Sequence, residues 1–111
     1  MDSIYINKNS AIERLGGSAK LYINLLKRFL SNNNYIQELK NHIEANDLNA
    51  AEFTVHTIKG LSANLSLDAL LSISAEVDTQ LKNEIIDNDS IQKLELVMEA
   101  TINAINDYIA F

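Results

Sequence analysis

Apolar residues recur at steps of three, four or seven along almost the whole chain, and no proline interrupts the pattern. Residues separated by these steps lie on the same face of an α-helix. Proline breaks a helix interior and glycine weakens it, so a 111-residue chain with no proline and three glycines favours long helices over turn-rich β-structure. The sequence therefore predicts an all-α fold.

A short helix is predicted near the N-terminus. Ser10 and Glu13 have the spacing of a capping box, in which a hydroxyl and a carboxylate satisfy each other's backbone N–H groups. Gly16 and Gly17 should end this helix, because glycine readily leaves the helical conformation. Ser18, which follows directly, can cap the next helix.

The second predicted helix is long and contains a polar run of residues 31–34. Its apolar positions keep one phase across that run; they are Leu21, Leu25, Phe29, Ile36, Leu39 and Ile43. We therefore predict one continuous helix from Ala19 to Ala45. A break at Asn32–Asn34 is the alternative, because asparagine readily bonds its own backbone instead of extending a helix.

Three further helices follow with short connections. Asp47 can cap a helix from Leu48 to Leu65, and Ser66 can cap the helix after it. The last helix is predicted to begin near Ser90. Long amphipathic helices with short connections are expected to form an antiparallel up-and-down four-helix bundle, here with a short extra N-terminal helix. We expect residues 1–111 to form a single domain.

The net charge and the lack of cysteine limit the classes of partner and compartment. The chain has 15 Asp and Glu against 9 Lys and Arg, so its formal net charge of −6 should repel nucleic acid and anionic membranes. The absence of cysteine fits a reducing compartment. No secretion signal is evident at Met1–Tyr5, and no segment approaches the roughly 20 apolar residues of a membrane span. We expect a cytoplasmic monomer.

The helix from Leu48 to Leu65 contains a histidine in the middle of its polar face. At about 100° per residue, His56 lies opposite a stripe formed by Ala51, Thr54, Val55, Ile58, Leu61, Ser62 and Leu65. Lys59 and Gly60 follow one turn later and are therefore its neighbours on the surface. An ordinary surface histidine is the alternative interpretation of His56.

Gly60 is unusual because it lies inside this helix rather than at its end. Glycine in a helix interior costs about 1 kcal/mol relative to alanine, so its presence suggests a steric need. The alternatives are a glycine tolerated by chance or one required where another helix crosses closely.

The residue types around His56 indicate nucleophilic chemistry. An imidazole with an ordinary pKa of about 6.5 is largely neutral near pH 7, so a ring nitrogen can attack phosphorus. Lys59 can donate charge-assisted hydrogen bonds to a dianionic group on that ring, although a solvated helix cation is the alternative. Phe53 is predicted on the same outward side, where it can anchor a partner unless the N-terminal residues Ile4 and Ile6 cover it.

The order of these motifs resembles that of histidine-containing phosphotransfer domains, the Hpt family. The resemblance covers Ala11 to Leu81 and rests on Leu15-Gly16-Gly17, Leu25-Leu26, Phe29, Asn46-Asp47, His56-Thr57-Ile58-Lys59-Gly60 and Ala63-Asn64-Leu65. It implies a phosphorylated His56, with Lys59 as the charge partner of the phosphate and Gly60 leaving room for the partner. Three residues depart from the family pattern, namely Val55, Ser66 and Asp78.

The resemblance also implies partners and a role. The chain is expected to be a phosphocarrier without turnover of its own, which takes a phosphoryl group from one response-regulator receiver domain, or from a (hybrid) sensor histidine kinase, and passes it to another receiver. It is expected to bind no cofactor, with Mg²⁺ supplied by the receiver. Five residues are candidates for the docking surface: Asn49, Glu52, Phe53, Ala63 and Asp78.

Two other functions compete with this interpretation. One is a helical adaptor that binds receivers or kinases without being phosphorylated. The other is a metal-binding bundle, suggested by Glu38 with His42 and by Glu52 with His56, two pairs at i and i+4. Carboxylate di-metal bundles use inward-pointing Glu and His at i and i+3, which argues against the second function.

Overall fold

The computed structural model describes residues 4–110, which are helical with no strand among them. The helices are α1 (Lys8–Arg14), α2 (Ala19–Ser31), α3 (Tyr35–Glu44), α4 (Leu48–Leu65), α5 (Asp68–Lys82) and α6 (Asn88–Ile109). In chain order, α2 and α3 together form the first long arm of the bundle, and α4, α5 and α6 form the others. The predicted all-α four-helix bundle with a short N-terminal helix is confirmed.

The continuous helix predicted from Ala19 to Ala45 is wrong. Helix α2 ends at Ser31 with Asn32 as its C-cap, and α3 begins after Asn34. The side-chain amide of Asn33 donates a hydrogen bond to Met98 Sδ of α6, at 3.3 Å. The asparagine segment therefore packs against another helix, and this contact favours the turn over the continuous helix.

The break also changes which face of α2 is buried. Tyr22, Leu26 and Phe29 are buried, whereas Leu21, a member of the predicted stripe, is 44% exposed. The predicted stripe required one helical phase across residues 21–43, and the turn removes that requirement. The Tyr22 hydroxyl donates a 2.7 Å hydrogen bond to the backbone carbonyl of Leu65, which joins α2 to the end of α4.

Several predicted helix ends are confirmed. The side chains of Ser18 and Asp47 each accept a hydrogen bond from the backbone N–H three residues later, so they cap α2 and α4. Gly16 and Gly17 follow α1 with φ of +70° and +88°, a region that favours glycine. Helix α4 has the predicted bounds of Leu48 and Leu65.

Two helices begin earlier than predicted. The cap of α1 is Asn7, whose side chain accepts from the backbone N–H of Ser10, so the predicted capping box at Ser10 is wrong. Asp87 caps α6, which consequently begins at Asn88 rather than near Ser90. In both cases an Asx residue takes the capping position, as its short side-chain oxygen allows.

Ser66 ends α4 rather than capping α5. It is the C-cap of α4 with φ of 55°, in the left-handed region, and Leu67 precedes α5 without a side-chain cap. The guanidinium of Arg14 donates hydrogen bonds to the carbonyls of Ala63 and Asn64 and to the Ser66 hydroxyl. These contacts bind α1 to the C-terminus of α4 and satisfy carbonyls that the helix leaves without partners.

The core lies between the long helices and is mostly aliphatic. Its largest fully buried side chains are Tyr22, Leu26, Leu39, Ile58, Leu67, Leu70, Leu94 and Ile105. No helix within residues 4–110 is both long and apolar enough to cross a membrane.

Candidate functional site

Helix α4 separates a buried face from an exposed one, as its sequence predicts. Six residues of the predicted inner stripe are buried: Ala51, Thr54, Val55, Ile58, Ser62 and Leu65. Leu61, the seventh, is partly buried. The side chain of His56 lies on the opposite face and is 61% exposed. The imidazole is therefore accessible to a second protein.

One nitrogen of the imidazole faces a buried carboxylate on the next helix. His56 Nδ1 lies 3.7 Å from Asp78 Oδ2, an ion-pair distance slightly longer than a hydrogen bond. The other ring nitrogen, Nε2, is on the far side of the ring from Nδ1. A carboxylate beside Nδ1 favours the tautomer that carries its proton there, which leaves the Nε2 lone pair free.

Asp78 is buried, so the structure corrects its assignment to an exposed docking surface, which was made from the sequence. Its side chain is 1% exposed and lies beneath three groups that can carry positive charge. Besides His56, Lys59 Nζ lies 3.6 Å and Lys82 Nζ 3.2 Å from the same oxygen, Asp78 Oδ2. The spacing of residues along α5 does not reveal this burial, because side chains of α4 cover the carboxylate.

Glu52 lies one turn before His56 and close to Asp78. Interaction with the nearby Asp78 carboxyl group, followed by burial, raises the pKa of Glu52 above its usual range. Burial opposes ionisation of Asp78, but interactions with Glu52 and Lys82 outweigh it and lower the pKa of Asp78. The two carboxyl groups therefore differ in pKa, and Asp78 loses its proton at a lower pH than Glu52 does.

The two sides of His56 differ in chemistry. At about 100° per residue, Glu52 and Lys59 lie on one side of it along α4, and Phe53 and Gly60 lie on the other. We call Glu52, Lys59, Asp78 and Lys82 the charged flank of His56, and Phe53 with Gly60 the open flank.

No segment within residues 4–110 covers the open flank. Phe53 is 70% exposed, and Ile4, which was considered as a cover, is itself 68% exposed. A Cβ atom added to Gly60 would meet no atom outside its own helix within 4 Å. Close helix crossing therefore does not explain Gly60. Asn49 and Ala63 are also exposed on this face of α4.

A cavity that the sequence did not predict opens beyond the open flank. It has a volume of about 560 Å³ and lies where α1, α2, α3 and α4 meet. Its lining residues include Leu15, Leu25, Arg28, Tyr35, Leu61 and Asn64. No periodic pattern signals it, because its walls come from four helices and depend on the turn after α2.

Only one of the two pairs considered for metal binding comes together with a third possible ligand. Possible ligand atoms of Glu52 and His56 lie within 4.8 Å of each other and of a carboxylate oxygen of Asp78 on α5. Among residues 4–110, Glu38 and His42 belong to no such group. A bundle metal site built from both i, i+4 pairs is therefore not formed.

Comparison with protein-family models gives a match to the Hpt domain over residues 25–105 of the 111-residue chain. Searches of curated proteins and of solved structures give no significant match. The matched segment contains His56, Lys59, Gly60 and Asp78. Hpt domains are phosphocarriers rather than enzymes, and they work with receiver domains and histidine kinases in two-component phosphorelays. The length of this match, which takes in α3, α4 and α5 whole, shows that the chain belongs to the Hpt domain family.

Proposed function

We propose that this chain carries a phosphoryl group on His56, accepting it from a receiver-domain aspartate or from a kinase and passing it to a second receiver. The observation that carries the proposal is the position of the imidazole, whose side chain is 61% exposed while its Nδ1 faces the buried Asp78. A nucleophile for a macromolecular substrate must be accessible and correctly oriented, and this position supports both requirements.

The proposed step uses Nε2 of His56 as the nucleophile. Nε2 attacks the phosphorus of the partner's aspartyl phosphate, the bond between phosphorus and the aspartate oxygen breaks, and the aspartate leaves as a carboxylate. Nδ1 keeps its proton, so the ring becomes positively charged. The carboxylate of Asp78, 3.7 Å away, offsets that charge, as a buried aspartate does beside other catalytic histidines. Transfer to the second receiver reverses these bond changes.

Lys59 is proposed to stabilise the phosphoryl group once it is on the ring. Its ammonium group lies 3.6 Å from Asp78 Oδ2, and its side chain is 38% exposed. An ammonium at the rim of the site can turn to donate a charge-assisted hydrogen bond to a phosphoryl oxygen. A freely solvated cation is the less suitable description of Lys59, because the carboxylate of Asp78 holds its ammonium group near the imidazole.

The docking surface is proposed to surround His56 on α4. The exposed side chains of Asn49, Phe53 and Ala63, together with the bare backbone of Gly60, support this choice. We infer that the partner is a receiver domain of a response regulator or of a hybrid sensor histidine kinase, and that the receiver supplies the Mg²⁺ that phosphoryl transfer requires.

The proposal is tested by phosphorylation with candidate receivers. The protein is incubated with radiolabelled phospho-receivers, and we expect an acid-labile, base-stable label that His56→Gln abolishes. His42→Gln is the matched control, since His42 is the other of the two histidines and lies on α3. Labelling that survives His56→Gln, or no label from any receiver that is competent with another Hpt domain, would contradict the proposal.

An unphosphorylated adaptor is the second candidate function. Phe53 is 70% exposed, which favours an adaptor as much as a carrier, because both must bind a partner. The His56→Gln variant separates them. An adaptor retains its signalling activity when that variant still binds its partner, whereas a carrier loses it.

A further inference from the structure

Beneath the imidazole, two carboxyl groups approach each other without a proton donor between them. A carboxylate oxygen of Glu52 and one of Asp78 lie within 4.8 Å of each other and of a ring nitrogen of His56. Within residues 4–110, neither Glu52 Oε2 nor Asp78 Oδ1 has a hydrogen-bond partner, and both atoms are shielded from solvent. Buried carboxylate oxygens are normally satisfied, so this pair requires an explanation.

A shared proton explains the pair better than a bound cation does. Lys59 and Lys82 already lie within 4 Å of Asp78 Oδ2, and a divalent cation between the carboxyl groups would be repelled by both ammonium groups. A proton adds a single charge, and it allows one carboxyl group to donate a hydrogen bond to the other. The pKa of Glu52 is raised by the nearby Asp78 carboxyl group and that of Asp78 is lowered, which supports Glu52 as the group that holds the proton.

We propose that Glu52 is a positioning residue for the phosphoacceptor, which in its protonated form donates a hydrogen bond to Asp78 and so holds that carboxylate toward Nδ1 of His56. The expected effect on phosphoryl transfer rests on the proposed function, but the position of the Asp78 carboxylate beside Nδ1 is a property of the unphosphorylated protein. Glu52 acts through Asp78, so it does not touch the reacting atoms.

Ionisation of Glu52 should weaken this arrangement. A second negative charge then repels the Asp78 carboxylate, which is no longer held toward Nδ1 of His56, so the tautomer that leaves the Nε2 lone pair free is less favoured. The other charged groups around the pair are His56 and Lys59 of α4, Lys82 of α5 and Glu84, which lines a cleft of about 350 Å³ with Glu52 and Lys82. Of these, Lys82 and His56 favour ionisation of Glu52, whereas Asp78 itself opposes it.

The test compares two substitutions of Glu52 that differ in hydrogen bonding. Glu52→Gln keeps a donor for Asp78 without a titrating group, and Glu52→Leu removes the donor. Glu76→Gln, at an exposed position on α5, is the control for loss of one charge. Nitrogen chemical shifts of His56 report the tautomer and its pKa, and single-turnover labelling is measured as a function of pH.

We expect Glu52→Gln to keep the wild-type tautomer and to remove one titration from the labelling profile. We expect Glu52→Leu to lose the tautomer preference and to label about tenfold more slowly, in the range of altered orienting contacts. Circular dichroism checks that each variant is folded. A tautomer, pKa and pH profile that are the same in wild type and both variants would overturn the proposal.

Two further results are informative. Calorimetry measures whether the wild-type protein binds Zn²⁺ or Mg²⁺. If it does, and if Glu52→Gln abolishes that binding, the shared proton is overturned in favour of a cation site. If wild-type protein takes up no label at all, the proposed function fails, whereas the tautomer measurement still decides the role of Glu52. The two failures are therefore distinguishable.

Discussion

The charged flank and the open flank lie on either side of His56 but differ in almost every physical property. On the charged flank, the carboxylate of Asp78 is buried and bound by side chains of α4 and α5. On the open flank, Phe53 is exposed and Gly60 has no neighbour in reach of a Cβ. The comparison indicates that orientation of the imidazole and access to it are divided between opposite sides of α4, so they should respond to different substitutions.

The largest effect is expected on the charged flank, from Asp78→Asn. The substitution keeps the shape but removes the charge that offsets the imidazolium, so we expect phosphoryl acceptance to slow about 10²-fold. Affinity for the receiver should change less than about twofold, because the side chain is 1% exposed. Single-turnover labelling and calorimetric titration measure the two quantities. Asp107→Asn on α6 is the matched control, and a loss confined to affinity would break the comparison.

Phe53→Ala tests the open flank. We expect the dissociation constant for the receiver to rise about tenfold, since an exposed aromatic anchor contributes roughly 1–2 kcal/mol to binding. The rate at saturating receiver should remain that of the wild type. Leu96→Ala, which shortens another exposed apolar side chain, is the control and should leave affinity unchanged. A slower saturated rate with unchanged affinity would show that Phe53 acts on the chemistry instead.

Gly60→Ala sharpens the comparison because stability and access should change in opposite directions. The added methyl group meets open space, so the free energy of unfolding should increase by about 0.5–1 kcal/mol. Receiver binding should weaken if the bare backbone is needed for close approach. Urea unfolding and titration measure both effects, and Ala63→Gly on the same exposed face should show the reverse change in stability. Unchanged binding would leave Gly60 as a tolerated residue.

The smallest expected effect is the pH dependence of stability in Glu52→Gln. The pKa of Glu52 is raised in the folded protein, so its contribution to stability is complete below its ordinary pKa of 4.5 and is lost as pH rises through the folded pKa. Glu52→Gln should therefore be more stable than wild type at pH 7 and should lose that advantage near pH 4. The exposed Glu76→Gln should show no such crossover in urea unfolding.

Asp78 contributes with the opposite sign in the same experiments. The pKa of Asp78 is lowered in the folded protein, so its contribution to stability is present above its ordinary pKa of 3.8 and is lost as pH falls through the folded pKa. Asp78→Asn should consequently lose stability relative to wild type at pH 7 but not in strong acid. The same sign for both variants would contradict the assignment of the shared proton to Glu52.

Local patterns in the sequence determined much of the helical framework. The bounds of α4, the caps at Ser18 and Asp47, and the exposure of His56 follow from residue types and from the period of the helix. These features depend on residues within one or two turns of each other, so a single sequence contains the information needed to predict them.

The features that the sequence did not reveal depend on contacts between distant segments. The turn at Asn32–Asn34 is supported by a hydrogen bond to Met98, 65 residues after Asn33. Asp78 is buried because α4 covers it, although its position on α5 gave no sign of this. The cavity beside Leu61 similarly requires four helices in place. The energies of these contacts arise only after packing, when burial and opposing charges become effective.

The sequence by itself thus determined the helices and placed an accessible imidazole on one of them, because helix periodicity is a local property. Only the tertiary structure decided that this imidazole has a buried carboxylate beneath it and an open surface beside it. Two helices must pack before Glu52 and Asp78 can meet, and packing is what removes the water that would otherwise separate and screen them.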